Sequence, residues 1–263
     1  TEYTVASYGP PSPNDVQAQM QIMQNLTEQD VAGFILAPIE ISALQSTIEQ
    51  ASDANKPCVL ICSRDLERGG VVKMGPDEYI AGVMAARSLA RSLTGTARIA
   101  MVNYDQGSAV AVQCEAGFAD TIKNEFPQVQ IVKAVYAAHS SDSAVEVTRE
   151  VLMRNPTVTG LFASKESTSI GVLKAIQGQS LEGKIKMVGF GTDKSLIDGL
   201  KSGTIVSLIS RDPYKMGYEA AKSVIQRLQG AQVDIETYVD TGVKAITTKN
   251  LSAAEIQTLL PAD

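Results

Sequence analysis

KIKMVGFGTDKSLIDGLKSGTIVSLISRDPYKMGYEAAKSVIQRLQG, Lys184 to Gly230, is the stretch that decides the fold. Ile185 to Phe190 is a short apolar run, suited to a strand buried on both faces. Gly191, Thr192 and Asp193 break it. Asp193 is placed to cap a helix over Lys194 to Lys201, and Gly203 to end it. Thr204 to Ser210 is β-branched and apolar, so it reads as the next strand. Arg211 follows, then Asp212-Pro213, a sharp helix start because Pro at N1 lacks only an N–H that would be orphaned anyway. That helix runs to about Gln229 and stops at Gly230. Each strand thus hands a polar residue to a loop at its carboxyl end.

The same rhythm extends in both directions. Strands are expected at Tyr3 to Tyr8, Val31 to Ala37, Cys58 to Cys62, Val71 to Met74, Arg98 to Tyr104, Gln130 to Tyr136, Gly160 to Ala163 and Tyr238 to Thr247. Helices are expected at Asn14 to Gln29, Ile41 to Ala54, Tyr79 to Leu93, Ala109 to Glu125, Ser143 to Arg154 and Ser167 to Gln177, with a short one after Leu251. Strands alternating with helices imply an α/β fold with parallel sheets and right-handed crossovers. So many units exceed one compact sheet, so two doubly wound lobes are expected.

Composition narrows the function. The chain has 263 residues, 44% of them hydrophobic, and a net charge of −6. That is ample for a core and argues against nucleic acid as a partner. No apolar run approaches the roughly 20 residues of a membrane span. TEYTVASYG carries no basic or apolar leader, so no signal peptide is expected in this chain.

Cys58 and Cys62, if on one strand, stand roughly 13 Å apart, too far for a disulfide, which needs Cα atoms within about 7 Å. They read as small buried hydrophobes. Zinc would need more ligands, and the only histidine is His139. Walker, Rossmann and nucleophile-elbow patterns are absent. Cys114 with His139 is a weak nucleophile pair beside the plainer reading of a structural cysteine. No catalysis, cofactor or metal is expected.

In open α/β sheets, ligands sit outside the carboxyl ends of the strands. That rule collects Ser63, Arg64 and Asp65, Tyr104, His139, Lys165 and Glu166, Gly191 and Arg211. Asp77, Asp193 and Asp212 sit at similar places but read first as helix caps. Arg64, Lys165 and Arg211 differ, since basic residues are not usual at helix starts.

VAGFILAPIE, NKPCVLIC, YDQGSAVAVQCEAGFADTI, GLFASKESTSIGVLKAI, the opening stretch and VDTGVKAITTKNL together resemble the type I periplasmic solute-binding proteins of ABC sugar importers, the ribose-binding type. The effector domains of LacI-type repressors share that fold. The resemblance implies two lobes joined by three hinge crossings and closing on a small ligand. One lobe would hold about Thr1 to Asn103 plus Asp212 to Asp240. The other would hold about Tyr104 to Arg211 plus Thr241 to Asp263. It implies a periplasmic or extracellular protein, with a lipid anchor as a variant, and an ABC permease as partner. A sensor or regulatory domain signalling to a kinase or transcription regulator is the alternative.

Two departures from the family stand out. By that resemblance the family's first βα unit of the N-terminal lobe has no counterpart here, so three readings are open: the chain is a fragment, a complementing N-terminal segment supplies the strand, or the lobe is remodelled. At the ligand positions Ser63 and Gly191 replace usual aspartates, Cys114 an arginine, Lys165 an asparagine and Arg211 a glutamine. His139 falls near a ring-packing position. Ser63, Arg64, Lys165, Glu166, Gly191 and Arg211 are expected to line the ligand cleft. With three cations and two lost carboxylates, an anionic ligand (a sugar acid or sugar phosphate) stands beside a neutral sugar.

Overall fold

The computed structural model describes residues 3–12, 15–61, 71–104, 109–138, 140–231 and 238–261, with the side chains of 109 and 110 left aside. The chain divides into two compact units. The first comprises Thr1–Pro76 and Pro213–Thr241, the second Asp77–Asp212 and Gly242–Asp263.

In the first unit the elements are α1 (Val16–Glu28), β1 (Phe34–Leu36), α2 (Ile41–Asp53), β2 (Cys58–Ile61) and β3 (Val72–Gly75). The chain then passes through most of the second unit and returns to the first with α8 (Pro213–Leu228) and β9 (Tyr238–Asp240). The sheet is β1-β2-β3-β9, all parallel. Successive strand residues point to opposite faces. Cys58 and Leu60 therefore join Met23, Leu44 and Ile48 beneath α1 and α2, while Val59, Val72 and Met74 pack on Ala220 and Val224 of α8. Burial pushes the Cys58 thiol up to about 12, against the pull of the Arg227 charge, so it packs as an apolar group. Cys62 lies outside the described residues.

Tyr3–Tyr8, expected as a strand, forms none. Val5 is 83% exposed and Tyr8 61%. A strand needs a neighbour to take its N–H and C=O groups; among the described residues β1 pairs with β2 alone, and no strand pairs with Tyr3–Tyr8.

The second unit contains α3 (Glu78–Ser92), β4 (Ala97–Asn103), α4 (Ala109–Glu125), β5 (Val129–Tyr136), α5 (Ser141–Arg154), β6 (Gly160–Ala163), α6 (Glu166–Gly178), β7 (Lys186–Phe190), α7 (Lys194–Lys201), β8 (Ile205–Arg211), β10 (Val243–Ile246) and α9 (Ala254–Gln257). Its sheet runs β10-β8-β7-β6-β4-β5. All neighbours are parallel except β10, which is antiparallel to β8. Apolar clusters cover both faces. On one of them Phe118, Phe162 and Phe190 form a chain, with ring centres 4.3 and 6.3 Å apart.

The unit boundaries and one strand differ from the sequence expectation, the later two boundaries by one residue each, with Asp212 in the second unit and Thr241 in the first. Residues 77–103, expected in the first lobe, belong to the second unit, because β4 is inserted between β5 and β6 and α3 packs on α4. The single strand expected over Tyr238 to Thr247 is two. It breaks at Thr241 and Gly242, where φ is +78°, so that β9 serves one sheet and β10 the other.

Candidate functional site

The carboxyl ends of β4, β6, β7 and β8 share one edge of the second sheet, and the residues just beyond them are Tyr104, Lys165, Gly191 and, as the last residue of β8, Arg211. The strand order reverses where β4 meets β6, since chain-consecutive β5 lies on the other side of β4. A crevice at such a reversal is where open sheets bind ligands. Here Tyr104 N–H donates to Ser164 Oγ (2.9 Å), and the Lys165 ammonium stands 3.9 Å from the centre of the Tyr104 ring. That is within the range of a cation–π contact.

Glu166 opens α6 and turns its carboxylate towards the loop after β7. Its Oε2 accepts hydrogen bonds from the N–H groups of Thr192 (2.7 Å) and Asp193 (3.2 Å). Gly191 makes this possible twice over. Its φ is +102°, which side chains rarely adopt, and a Cβ there would overlap Glu166 Oε2. The Glu166 side chain thus fills the space a residue at 191 would use. Asp193 then caps α7, accepting from the N–H of Ser195 at 2.8 Å and from its hydroxyl. Those bonds hold its carboxyl below the usual carboxylate range.

Arg211 is not an open cation. Its Nε and Nη2 donate to Glu78 in a fork, at 3.0 Å and 2.8 Å to Oε1 and 2.9 Å to Oε2. The Glu78 side chain is 9% exposed and that of Arg211 27%. The guanidinium also stands 5.7 Å from the centre of the buried Phe190 ring. Sequence reasoning missed Glu78, although a signal was present. Glu78 shares the helical stripe of Ala81, Gly82, Ala85 and Leu89, all buried, and a carboxylate on such a stripe needs a partner.

Cys114, expected as a ligand contact, is 2% exposed and packs with Phe118 and Ile122 along α4. Its helix touches α3 backbone to backbone: a Cβ on Gly82 would overlap the Cys114 carbonyl, and one on Gly117 the Tyr79 carbonyl. Burial, with the nearby Glu78 charge, raises the thiol well above its usual range. It therefore serves packing rather than contact or nucleophilic chemistry. Ser63, Arg64, Asp65 and His139 lie outside the described residues. Among the described residues no cluster of His, Cys, Asp and Glu could hold a metal ion, and no helix is long and apolar enough to cross a membrane.

Residues 1–232 match the model of the periplasmic binding protein domain. The chain belongs to that family. Its fold is type I, with parallel-sheet lobes of the α/β class. Among curated relatives of this binding protein, the ribose import binding protein RbsB of Bacillus subtilis is 24% identical over 221 residues, 84% of this chain and 70% of that one. Among solved structures, an ABC transporter solute-binding protein from Agrobacterium vitis with bound D-fucose aligns with a TM-score of 0.87 and 27% identity. It covers 99% of this chain and 90% of its own. A carbohydrate transporter solute-binding protein from Agrobacterium radiobacter, in complex with D-arabinose, aligns with a TM-score of 0.83 and 26% identity, over 95% and 85%.

Proposed function

We propose that this binding protein is the ligand-binding component of an ABC-type sugar importer, that it works outside the cytoplasm, in a periplasmic or extracellular setting, and that its ligand is a neutral sugar. It captures and releases without chemistry of its own. The observation that carries the sugar reading is the alignment of nearly the whole chain with solute-binding proteins that hold D-fucose and D-arabinose. The fork between Arg211 and Glu78 supports a neutral ligand over an anionic one. A paired guanidinium has no need of a ligand carboxylate or phosphate.

The contacts proposed on the second unit are Tyr104, Lys165, Glu166, the turn at Gly191 and Arg211. Ser63, Arg64, Asp65 and His139 are proposed as further contacts. An ABC permease is the proposed partner. A further strand, pairing with β1 on the side away from β2 and drawing Tyr3–Tyr8 into the sheet, is the proposed complement of the first unit.

A thermal-shift screen tests the assignment. The panel is D-fucose, D-arabinose, D-ribose and D-fructose, with matching sugar acids and sugar phosphates. A ligand bound only by the folded chain raises the melting temperature by mass action. At least one neutral sugar is expected to do so. Silence from all neutral sugars, or turnover of any of them, would overturn the assignment.

A further inference from the structure

The Arg211–Glu78 pair does more than hold two side chains. Three of the five guanidinium N–H donors belong to Nε and Nη2, the atoms engaged with Glu78. Nη1 and its two donors stand outside the fork. The guanidinium is partly exposed at the carboxyl end of β8, beside the end of β7 in the same sheet. A rotatable arginine is thereby turned into a fixed pair of donors whose charge is already balanced.

We infer that Glu78 is a specificity-determining residue of the sugar site: it fixes Arg211 to donate through Nη1 to a sugar oxygen, and it cancels the charge that would otherwise select a sugar acid. Glu78 is a positioning residue here, acting through Arg211. This rests on the sugar-binding function proposed above. A neutral sugar oxygen accepts from Nη1 and leaves the fork intact. A sugar carboxylate must compete with Glu78 for the same guanidinium, or bring a second negative charge close to it, and either is unfavourable. Glu78→Gln keeps the shape and one acceptor but removes the charge. Arg211 then carries an uncompensated positive charge at the sheet edge, and a ligand carboxylate supplies the missing partner.

The test is calorimetry on the full chain with two matched pairs, D-galactose with D-galacturonate and D-glucose with D-glucuronate, and with D-fucose as a further neutral probe. The wild type is expected to bind a neutral sugar and to prefer it to the acids. Glu78→Gln is expected to shift the acid-to-neutral affinity ratio towards the acid by about tenfold or more, and the gained acid affinity should fall with added salt. The double variant Glu78→Gln with Arg211→Gln is expected to lose that gain, a result that a general loss of structure in Glu78→Gln would not produce. If Glu78→Gln does not fold, Arg211→Gln alone carries the test: it must weaken neutral-sugar binding without raising acid binding above that of the wild type. A wild type that binds a neutral sugar, with a ratio unchanged in Glu78→Gln, would overturn this inference and leave the sugar assignment standing. A wild type that prefers the acids would overturn the inference. A wild type that binds none of these sugars or acids would overturn the assignment and the inference together.

Discussion

The two units carry the same βα rhythm and resolve it differently. The second sheet has six strands, apolar clusters on both faces, and ordered polar contacts along one edge of its strand ends. The first has four described strands, with β1 paired among the described residues to β2 alone, and a segment, Thr4–Gly9, that is exposed throughout. Val5 in TVASY and Val102 in AMVNY look alike in sequence, yet one is 83% exposed and the other 0%. β-propensity prepares a segment for a sheet; a neighbouring strand within hydrogen-bonding reach and in register decides whether it joins.

The largest effect that sharpens this contrast is expected in the second core. Phe162 is fully buried, with Phe118 against one side and Phe190 against another. Phe162→Ala should cost about 3–5 kcal/mol in urea denaturation, from lost burial plus the cavity. A loss near zero would mean that the aromatic chain does not hold the unit together.

A smaller effect is expected at the strand-end loop. Gly191→Ala must leave a φ of +102° or displace Glu166 from the Thr192 and Asp193 amides. The expected cost is about 1–3 kcal/mol, with weakened sugar binding. Unchanged stability would show that the Glu166 carboxylate is not fixed there.

Next comes the cap of α7. Asp193→Ala should cost about 1 kcal/mol, while Asn, an equally good cap, should cost little. The Asp193 carboxyl is lowered first by the Ser195 hydroxyl and then by the Ser195 amide. A group lowered on folding stabilises above its unfolded value, about 3.9, and that contribution is lost as pH falls through the lower folded value. Melting curves of the wild type should therefore fall below about pH 4 more steeply than those of Asp193→Asn. Parallel curves would contradict the cap.

The smallest effect is expected at Val5. Val5→Ser should change stability by less than about 0.5 kcal/mol in this chain, because the side chain is already in water. A loss of several kcal/mol would place Tyr3–Tyr8 inside a sheet and break the contrast.

Much of the second unit was legible in the sequence. Asp77 and Asp193 are the caps they were read to be, accepting from Ile80 N–H at 3.0 Å and Ser195 N–H at 2.8 Å. The strand-end rule brought Tyr104, Lys165, Gly191 and Arg211 to one edge because it needs only local strand direction. Three things were not legible, and all are long-range. Arg211 finds its carboxylate at Glu78, far off in the chain, so the count of cations overstated the free charge. Cys114 is buried by close contact of α3 with α4, which two glycines on different helices permit. The boundary after Pro76 follows from the insertion of β4 between β5 and β6, which no local pattern encodes.

The central claim is that the strand-end site, with Arg211 already paired, holds an uncharged sugar. Titrating the wild type with D-fucose in about 0.05 M and about 0.5 M salt tests it most directly, since salt screens charge–charge attraction and leaves hydrogen bonds to neutral hydroxyls nearly untouched. Binding with a Kd unchanged within about twofold is the expected result. No binding of D-fucose or of any other neutral sugar, alongside a sugar acid or phosphate whose affinity collapses at the higher salt, would contradict it.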